Sequence, residues 1–241
     1  LPHTQMIAFK LTRGTAYYVG RNISTEMHTH HALEFIFGIA KPFDLITAGK
    51  DFTGIFAAVI APNQPHRFTG GNAPYLFIFL EPELPETGQI MKHFDLGKKK
   101  ATVLTKLTCL PEAEKVFDFS FFVNDLSIKV ARGSANPLDE RIKSVLVLIK
   151  NNLAHQQFNS EALAAGVFLS TSRFLHLFKE QIGLPLRKYI LWCRVLHAAE
   201  HLLQGNNLTA CAHAAGFSDS AHFSRTFSVL FGVSPSSVLK K

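Results

Sequence analysis

Ser170-Thr-Ser-Arg-Phe174-Leu-His-Leu-Phe178-Lys-Glu-Gln-Ile-Gly183 and Asp219-Ser-Ala-His-Phe223-Ser-Arg-Thr-Phe227-Ser-Val-Leu-Phe-Gly232 are two copies of one pattern, 49 residues apart. Each opens on a residue whose oxygen can accept from the unpaired amides of a first helical turn. Each then places Phe at the fourth and eighth positions, on one helix face that should be core. Each closes on a Gly suited to the positive φ of a helix C-terminus.

A shorter helix precedes each copy. Ser160-Glu-Ala-Leu163-Ala164 leads the first, and Leu208-Thr-Ala-Cys211-Ala212 leads the second. Ala164 and Ala212 are small enough for close helix crossing. Short helix, tight turn and second helix form the helix-turn-helix layout. Between the copies an amphipathic stretch runs from Leu186 to Gln204, with Tyr189, Ile190, Cys193, Leu196, His197 and Leu203 available for a buried stripe. One such helix would hold the two units at a fixed separation.

This spaced pattern resembles the AraC/XylS transcription regulators. The matching residues in the first unit include Leu163-Ala164, Ser170, Phe174, Leu177-Phe178-Lys179 and Gly183. Tyr189, Arg194, Ala198 and Leu202-Leu203 follow on the connecting helix. Leu208, Cys211-Ala212, Gly216-Phe217, Ser220, Phe223, Arg225, Phe227, Gly232 and Ser234-Pro235 complete it. Cys211 stands where that family usually has Ile. The resemblance implies a double helix-turn-helix domain that binds double-stranded promoter DNA, most often as an activator that contacts RNA polymerase.

A helix in the major groove reads base edges with exposed residues near its N-terminus. In the first unit these are Ser172, Arg173, Leu175, His176 and Lys179, and in the second Ser220, Ala221, His222, Ser224 and Arg225. Arg225 can pair with a guanine through two hydrogen bonds. Taken singly, each serine or histidine also reads as a solvated face, since phosphate contacts outnumber base contacts.

Charge follows the same division. The chain has 241 residues, 25 Lys+Arg and 18 Asp+Glu, for a net charge of +7. Residues 1–136 carry 14 basic and 12 acidic side chains, and residues 137–241 carry 11 and 6, so the excess sits mainly on the helical part. A basic balance points to an acidic partner, with nucleic acid first. At 47% hydrophobic and 18% charged, the composition excludes a disordered chain. No apolar run is long enough for a membrane span. The opening Leu1-Pro2-His3-Thr4 does not read as a secretory leader. Three scattered cysteines give no disulfide framework, so a cytoplasmic location is expected.

The N-terminal part reads differently. Ala16–Val19, Leu33–Ile39, Phe43–Thr47, Phe56–Ile60 and Tyr75–Leu80 are short Phe/Ile/Val/Thr-rich runs broken by Gly, Pro and Asn, as in a sandwich or barrel. His28-Thr-His30-His31-Ala-Leu-Glu34 puts residues 28, 30 and 34 on one face if it is a strand. His66 follows at a distance. This resembles the metal-binding motifs of cupin barrels. His28, His30, Glu34 and His66 are therefore candidate ligands for a divalent transition metal, which three imidazoles and a carboxylate suit. They read equally as the lining of a small-molecule effector pocket without metal. Arg21 and Arg67 are candidates for holding an anionic effector, or surface residues. Lys98-Lys99-Lys100 reads as a solvated loop.

Pro111 to Val130 begins as a good helix start, and Val116, Phe119, Val123, Leu126 and Val130 recur like a coiled-coil seam. The seam packs either on the barrel or on its twin, and the resemblance favours a homodimer. The expected architecture is multidomain β + α. A cupin-like β-barrel or jelly-roll sensor spans residues 1–105, a linking and dimerisation helix with its linker spans 106–136, and an all-α double helix-turn-helix domain spans 137–241. The expected function is a non-enzymatic regulator whose sensor binds a small molecule or metal. The alternatives are a metal-dependent cupin enzyme and a regulator with a vestigial cupin and no effector.

Overall fold

The computed structural model describes residues 5–12, 14–104, 138–153 and 158–238. The chain divides into two units, Leu1–Ala135 with Phe227–Lys241, and Asn136–Thr226. The expected linking helix of residues 106–136 lies outside the described residues.

The first unit is built on nine strands: β1 Gln5–Thr12, β2 Thr15–Arg21, β3 Leu33–Gly38, β4 Phe43–Thr47, β5 Asp51–Ile55, β6 Ala57–Ile60, β7 His66–Thr69, β8 Pro74–Leu80 and β9 Ala101–Val103. They form two antiparallel sheets, one in the order β1-β2-β8-β3-β6-β9 and one in the order β5-β4-β7. Every residue of the central strand β3 is buried, which explains its unbroken apolar run around Glu34. Its two faces do different work. Leu33, Phe35 and Phe37 share a core with Val59, Leu76 and Ile78, closed by Ile90 of α1 (Pro85–His93) and Leu96 of α2 (Leu96–Lys99). On the opposite face the register sets Glu34 beside Phe79 and Ile36 beside Phe77, and Phe77 meets Phe68 of the second sheet at 5.0 Å between ring centroids.

The cupin-like closed barrel or jelly roll expected here is not what these strands form. A closed barrel leaves no edge, whereas β1 and β9 end one sheet and β5 and β7 end the other. Among the described residues, isolated bridges join Ser24 and His28, which lie outside the named strands, to Thr69 and His66 of β7. Alternating apolar residues fix which face of a strand is buried, not which edges pair, and that choice is made by distant segments. The cupin assignment is therefore withdrawn.

The second unit is helical. In chain order the helices are α3 Glu140–Asn151, α4 Ser160–Gly166, α5 Thr171–Ile182, α6 Leu186–Leu203, α7 Leu208–Ala214 and α8 Ser220–Phe231, the last running into the first unit's segment, followed there by α9 Pro235–Val238. Asp139 caps α3 by accepting from the Arg141 amide at 2.9 Å, and its own amide donates to the Gln181 side chain at 2.9 Å. No helix among the described residues is long and apolar enough to cross a membrane.

Candidate functional site

The α4–α5 pair is the first helix-turn-helix unit. Asn159 caps α4, and Ala164, 1% exposed, permits close packing against its neighbour. Ser170 Oγ accepts from the Arg173 amide at 3.3 Å, so α5 starts where its sequence indicates. Phe174 and Phe178 are fully buried on its inner face, and Phe178 meets Tyr189 of α6 edge-on at 5.6 Å. Gly183 ends the helix at φ 77. That frame leaves Ser172, Arg173, Leu175, His176 and Lys179 exposed together. His176 lies 3.7 Å from Glu180, one turn on.

The α7–α8 pair repeats the design. Cys211 and Ala212 are fully buried, and Asp219 Oδ1 accepts from the His222 amide at 2.6 Å. Ala221 and Arg225 are exposed, while Ser220, His222 and Ser224 are half-buried. The His222 ring is held by Ser218 Oγ at 3.3 Å and by the edge of Phe217 at 5.2 Å. The tight turn needs Gly216: at φ +77 its Cβ would stand 2.8 Å from the Leu153 carbonyl. In the first unit the matching positive-φ position is Phe168, which is 97% exposed.

The four candidate ligands of the β unit converge. His28, His30 and His66 bring one ring nitrogen each within 4.8 Å of one another, all buried. Glu34 Oε2 lies 3.3 Å from His30 Nε2 and 3.0 Å from His66 Nε2, the latter without hydrogen-bond alignment. The convergence does not come from strand parity. His28 and His30 precede β3 in a non-strand segment, and His28 is placed by backbone bonds exchanged with His66 at 3.0 Å. His31 turns away to Glu83 at 2.6 Å.

Three backbone carbonyls orient the rings. His28 Nδ1 donates to Glu26 O at 2.8 Å, His30 Nδ1 to Ala32 O at 3.1 Å and His66 Nδ1 to Gln64 O at 2.9 Å. A carbonyl can only accept, so each neutral ring keeps its proton on Nδ1 and turns a lone pair on Nε2 inward. Three inward lone pairs and a carboxylate need a cation, either a proton or a metal. Carbonyl-anchored Nδ1 with inward Nε2 is the outer-shell arrangement of histidine metal ligands, so the donor set fits a metal. Backbone anchors have no residue-type signature, so the sequence did not reveal them.

The charges follow. Burial, then His66 and His30, pushes His28 down to about 3. Burial also lowers His30, against its bond to Glu34. Burial alone would raise Glu34, but the His66 charge and then the bond from His30 hold it well below the usual carboxylate range. Burial lowers His66, yet the neighbouring Glu34 charge outweighs it and the net shift is upward. Two phenylalanine rings adjoin the cluster. Phe79 meets His30 edge-on at 5.3 Å, Phe231 lies over it at 6.1 Å, and the Glu26 amide donates to Gly232 O at 3.0 Å. Arg21 and Arg67 are exposed on β2 and β7.

With this geometry, residues 163–241 match the family model described as a helix-turn-helix domain. The arabinose operon regulatory protein of Escherichia coli (strain K12) is 32% identical over 102 residues, covering 42% of this chain and 35% of that protein. The same protein of Salmonella typhimurium is 32% identical over 102 residues, 42% of this chain and 36% of that one. The chain thus spans about a third of the length of these curated relatives. An uncharacterized HTH-type transcriptional regulator, YidL of E. coli, is 29% identical over 153 residues, 61% of this chain and 51% of that protein. Among solved structures, ToxT from Vibrio cholerae O395 superposes with a TM-score of 0.59 at 16% identity, over 95% of this chain and 98% of that one, a likeness of fold. The curated relatives are named as regulators and not as enzymes, which agrees with a non-enzymatic chain.

Proposed function

We propose that the chain is a sequence-specific DNA-binding transcription regulator of the AraC/XylS type. One observation carries the reading. Two helices, α5 and α8, share the same cap–Phe–Phe–Gly frame and present Arg173, Lys179 and Arg225 on exposed faces. In this reading Ser172, Arg173, Leu175, His176 and Lys179 enter one major groove. Ser220, Ala221, His222, Ser224 and Arg225 enter the next, about 34 Å away. The regulator works in the cytoplasm as a homodimer paired through residues 106–136, and activates by contact with RNA polymerase.

The test is an operator selected by the full chain from random duplexes. Arg225→Ala is expected to lose roughly tenfold to hundredfold of specific affinity at fixed salt, about 1–3 kcal/mol, with non-specific binding and melting temperature kept. Unchanged operator affinity removes Arg225 from the interface.

The β unit, in the same proposal, senses a divalent transition metal through His28, His30, Glu34 and His66. The inward lone pairs support this, and imidazole with carboxylate suits Zn, Ni, Cu, Fe or Mn. Calorimetric titration of chelator-treated protein with Zn²⁺ or Ni²⁺ is expected to give one ion per chain, weakened roughly tenfold or more in His66→Ala. Equal binding by both proteins sinks the site.

A further inference from the structure

Four lysines that the regulator reading does not use surround one cavity. It lies between the β4–β5 turn, the Gln64–Pro65 loop and β9, and its volume is about 590 Å³. That is within the range of small-molecule sites, roughly 300–1,000 Å³.

The chain positions the lysines from two distant segments. Thr47 Oγ1 donates to Lys50 O at 2.7 Å and accepts from the Lys50 amide at 3.1 Å, which pins the turn. The Lys50 ammonium then rests 5.0 Å from the Phe52 ring centroid. Lys98 and Lys99 end α2, and both amides donate to Asp95 O. Lys100 follows at φ 65, its carbonyl accepting from the Ala61 amide at 2.7 Å and its ammonium donating to Gly97 O at 3.0 Å.

None of the described residues lining the cavity is acidic. Lys98 and Lys99 have no side-chain hydrogen bond or ion pair among the described residues. Four like charges around one hollow repel one another, and a bound anion reverses that. Lysine ammoniums act on phosphate as point charges, and a phosphate monoester brings nearly two negative charges and three acceptor oxygens to several of them at once. Besides the lysines the lining mixes apolar Phe52, Pro65 and Val103 with polar Thr47, Gln64 and Thr102, and the volume leaves room beside a phosphate for an organic body.

We infer that this cavity binds a phosphorylated small molecule, its phosphate among Lys50, Lys98, Lys99 and Lys100 and its organic part against Phe52, Pro65 and Val103. The inference is independent of the metal and DNA readings, and its test reads ligand binding directly.

The test titrates the full chain at fixed salt with inorganic phosphate and with a panel of phosphate monoesters: hexose phosphates, glycerol phosphate and nucleoside monophosphates. Their unphosphorylated counterparts and citrate are controls. At least one monoester is expected to bind tenfold or more tightly than inorganic phosphate and than its own counterpart. The exposed pair of substitutions Lys50→Gln and Lys99→Gln is expected to remove that advantage without changing the ligand-free melting temperature. The inference is overturned if no monoester exceeds its counterpart, if citrate matches the best monoester, or if the double variant binds as the wild type does. It is equally overturned if the double variant loses only duplex affinity while no monoester binds, which would assign these lysines to a DNA surface.

Discussion

The helical unit and the β unit were read from the same sequence by different kinds of signal. In the helical unit the determinants are local. Ser170, Phe174, Phe178 and Gly183 lie within fourteen residues, and each does in the fold what its spacing implies. In the β unit they are not. Glu34 gains its meaning from His66, and Lys50 from Lys98 to Lys100. Helical periodicity is written along the chain, whereas sheet edges and concave sites are assembled from segments that carry no record of each other.

The largest expected effect tests that contrast. Phe174 is fully buried in α5 and Phe35 is 1% exposed in β3. Truncation of either to Ala is expected to cost about 3–5 kcal/mol. The difference should lie in where the damage spreads. Phe174→Ala should abolish hydrogen-exchange protection in α5 and α6 while the sheets keep theirs, and Phe35→Ala should expose β3, β6 and β8 together. Loss of protection across both units in both variants would show that the two units unfold as one.

The sequence also misled in an instructive way. It named the four residues of the histidine cluster and put three of them, His28, His30 and Glu34, on one face by strand parity. They do meet, but through a non-strand segment bridged to β7, so residue type was informative and geometry was not. Five strands were legible from their runs of aromatic and aliphatic residues. β1, β5, β7 and β9 were not: β9 is three residues long, and β5, Asp51–Ile55, contains a Gly at φ 62 and has no fully buried residue. The closed barrel failed for the same reason, since no residue in a strand states whether its edge will be paired. Lys98 to Lys100 are exposed, as their charge run implies, but the run shows nothing of the hollow beside it.

A smaller effect separates the units by pH. In metal-free protein the folded state resists protonating His28 until about pH 3, while the unfolded chain takes that proton near its ordinary 6.5. Stability from His28 is therefore present above 6.5 and lost as pH falls from there toward 3. His30 acts in the same direction, and the lowered Glu34 loses its contribution further down. His66, shifted upward, contributes below 6.5 and loses that as pH rises through its folded value. Two histidines against one predict a net loss on the order of a few kcal/mol between pH 7 and 4.5 in the β unit, against a smaller loss in the helical unit, where burial lowers the half-buried His197. Melting in the presence of a chelator should show it, and His28→Gln should flatten it. An equally steep curve in the variant would place the pH sensitivity elsewhere.

The smallest expected effect lies inside the helical unit, where the two copies differ in the cap. Ser170 Oγ meets its amide at 3.3 Å, and Asp219 Oδ1 meets its own at 2.6 Å. The Asp219 carboxyl is held below its ordinary value first by the His222 amide and then by the Ser218 hydroxyl. A depressed carboxylate stabilises above its unfolded pKa and loses that as pH falls through the folded one. Ser170→Ala is expected to cost about 1 kcal/mol at any pH. Asp219→Ala should cost more than Ser170→Ala at pH 7, because its bond is charge-assisted, and less as the pH falls below the carboxylate range. Amide exchange at Arg173 and His222 across that range reads both caps at once. Parallel pH curves at the two amides would mean that the second copy is capped by geometry alone, and that the charge on Asp219 serves something other than the helix.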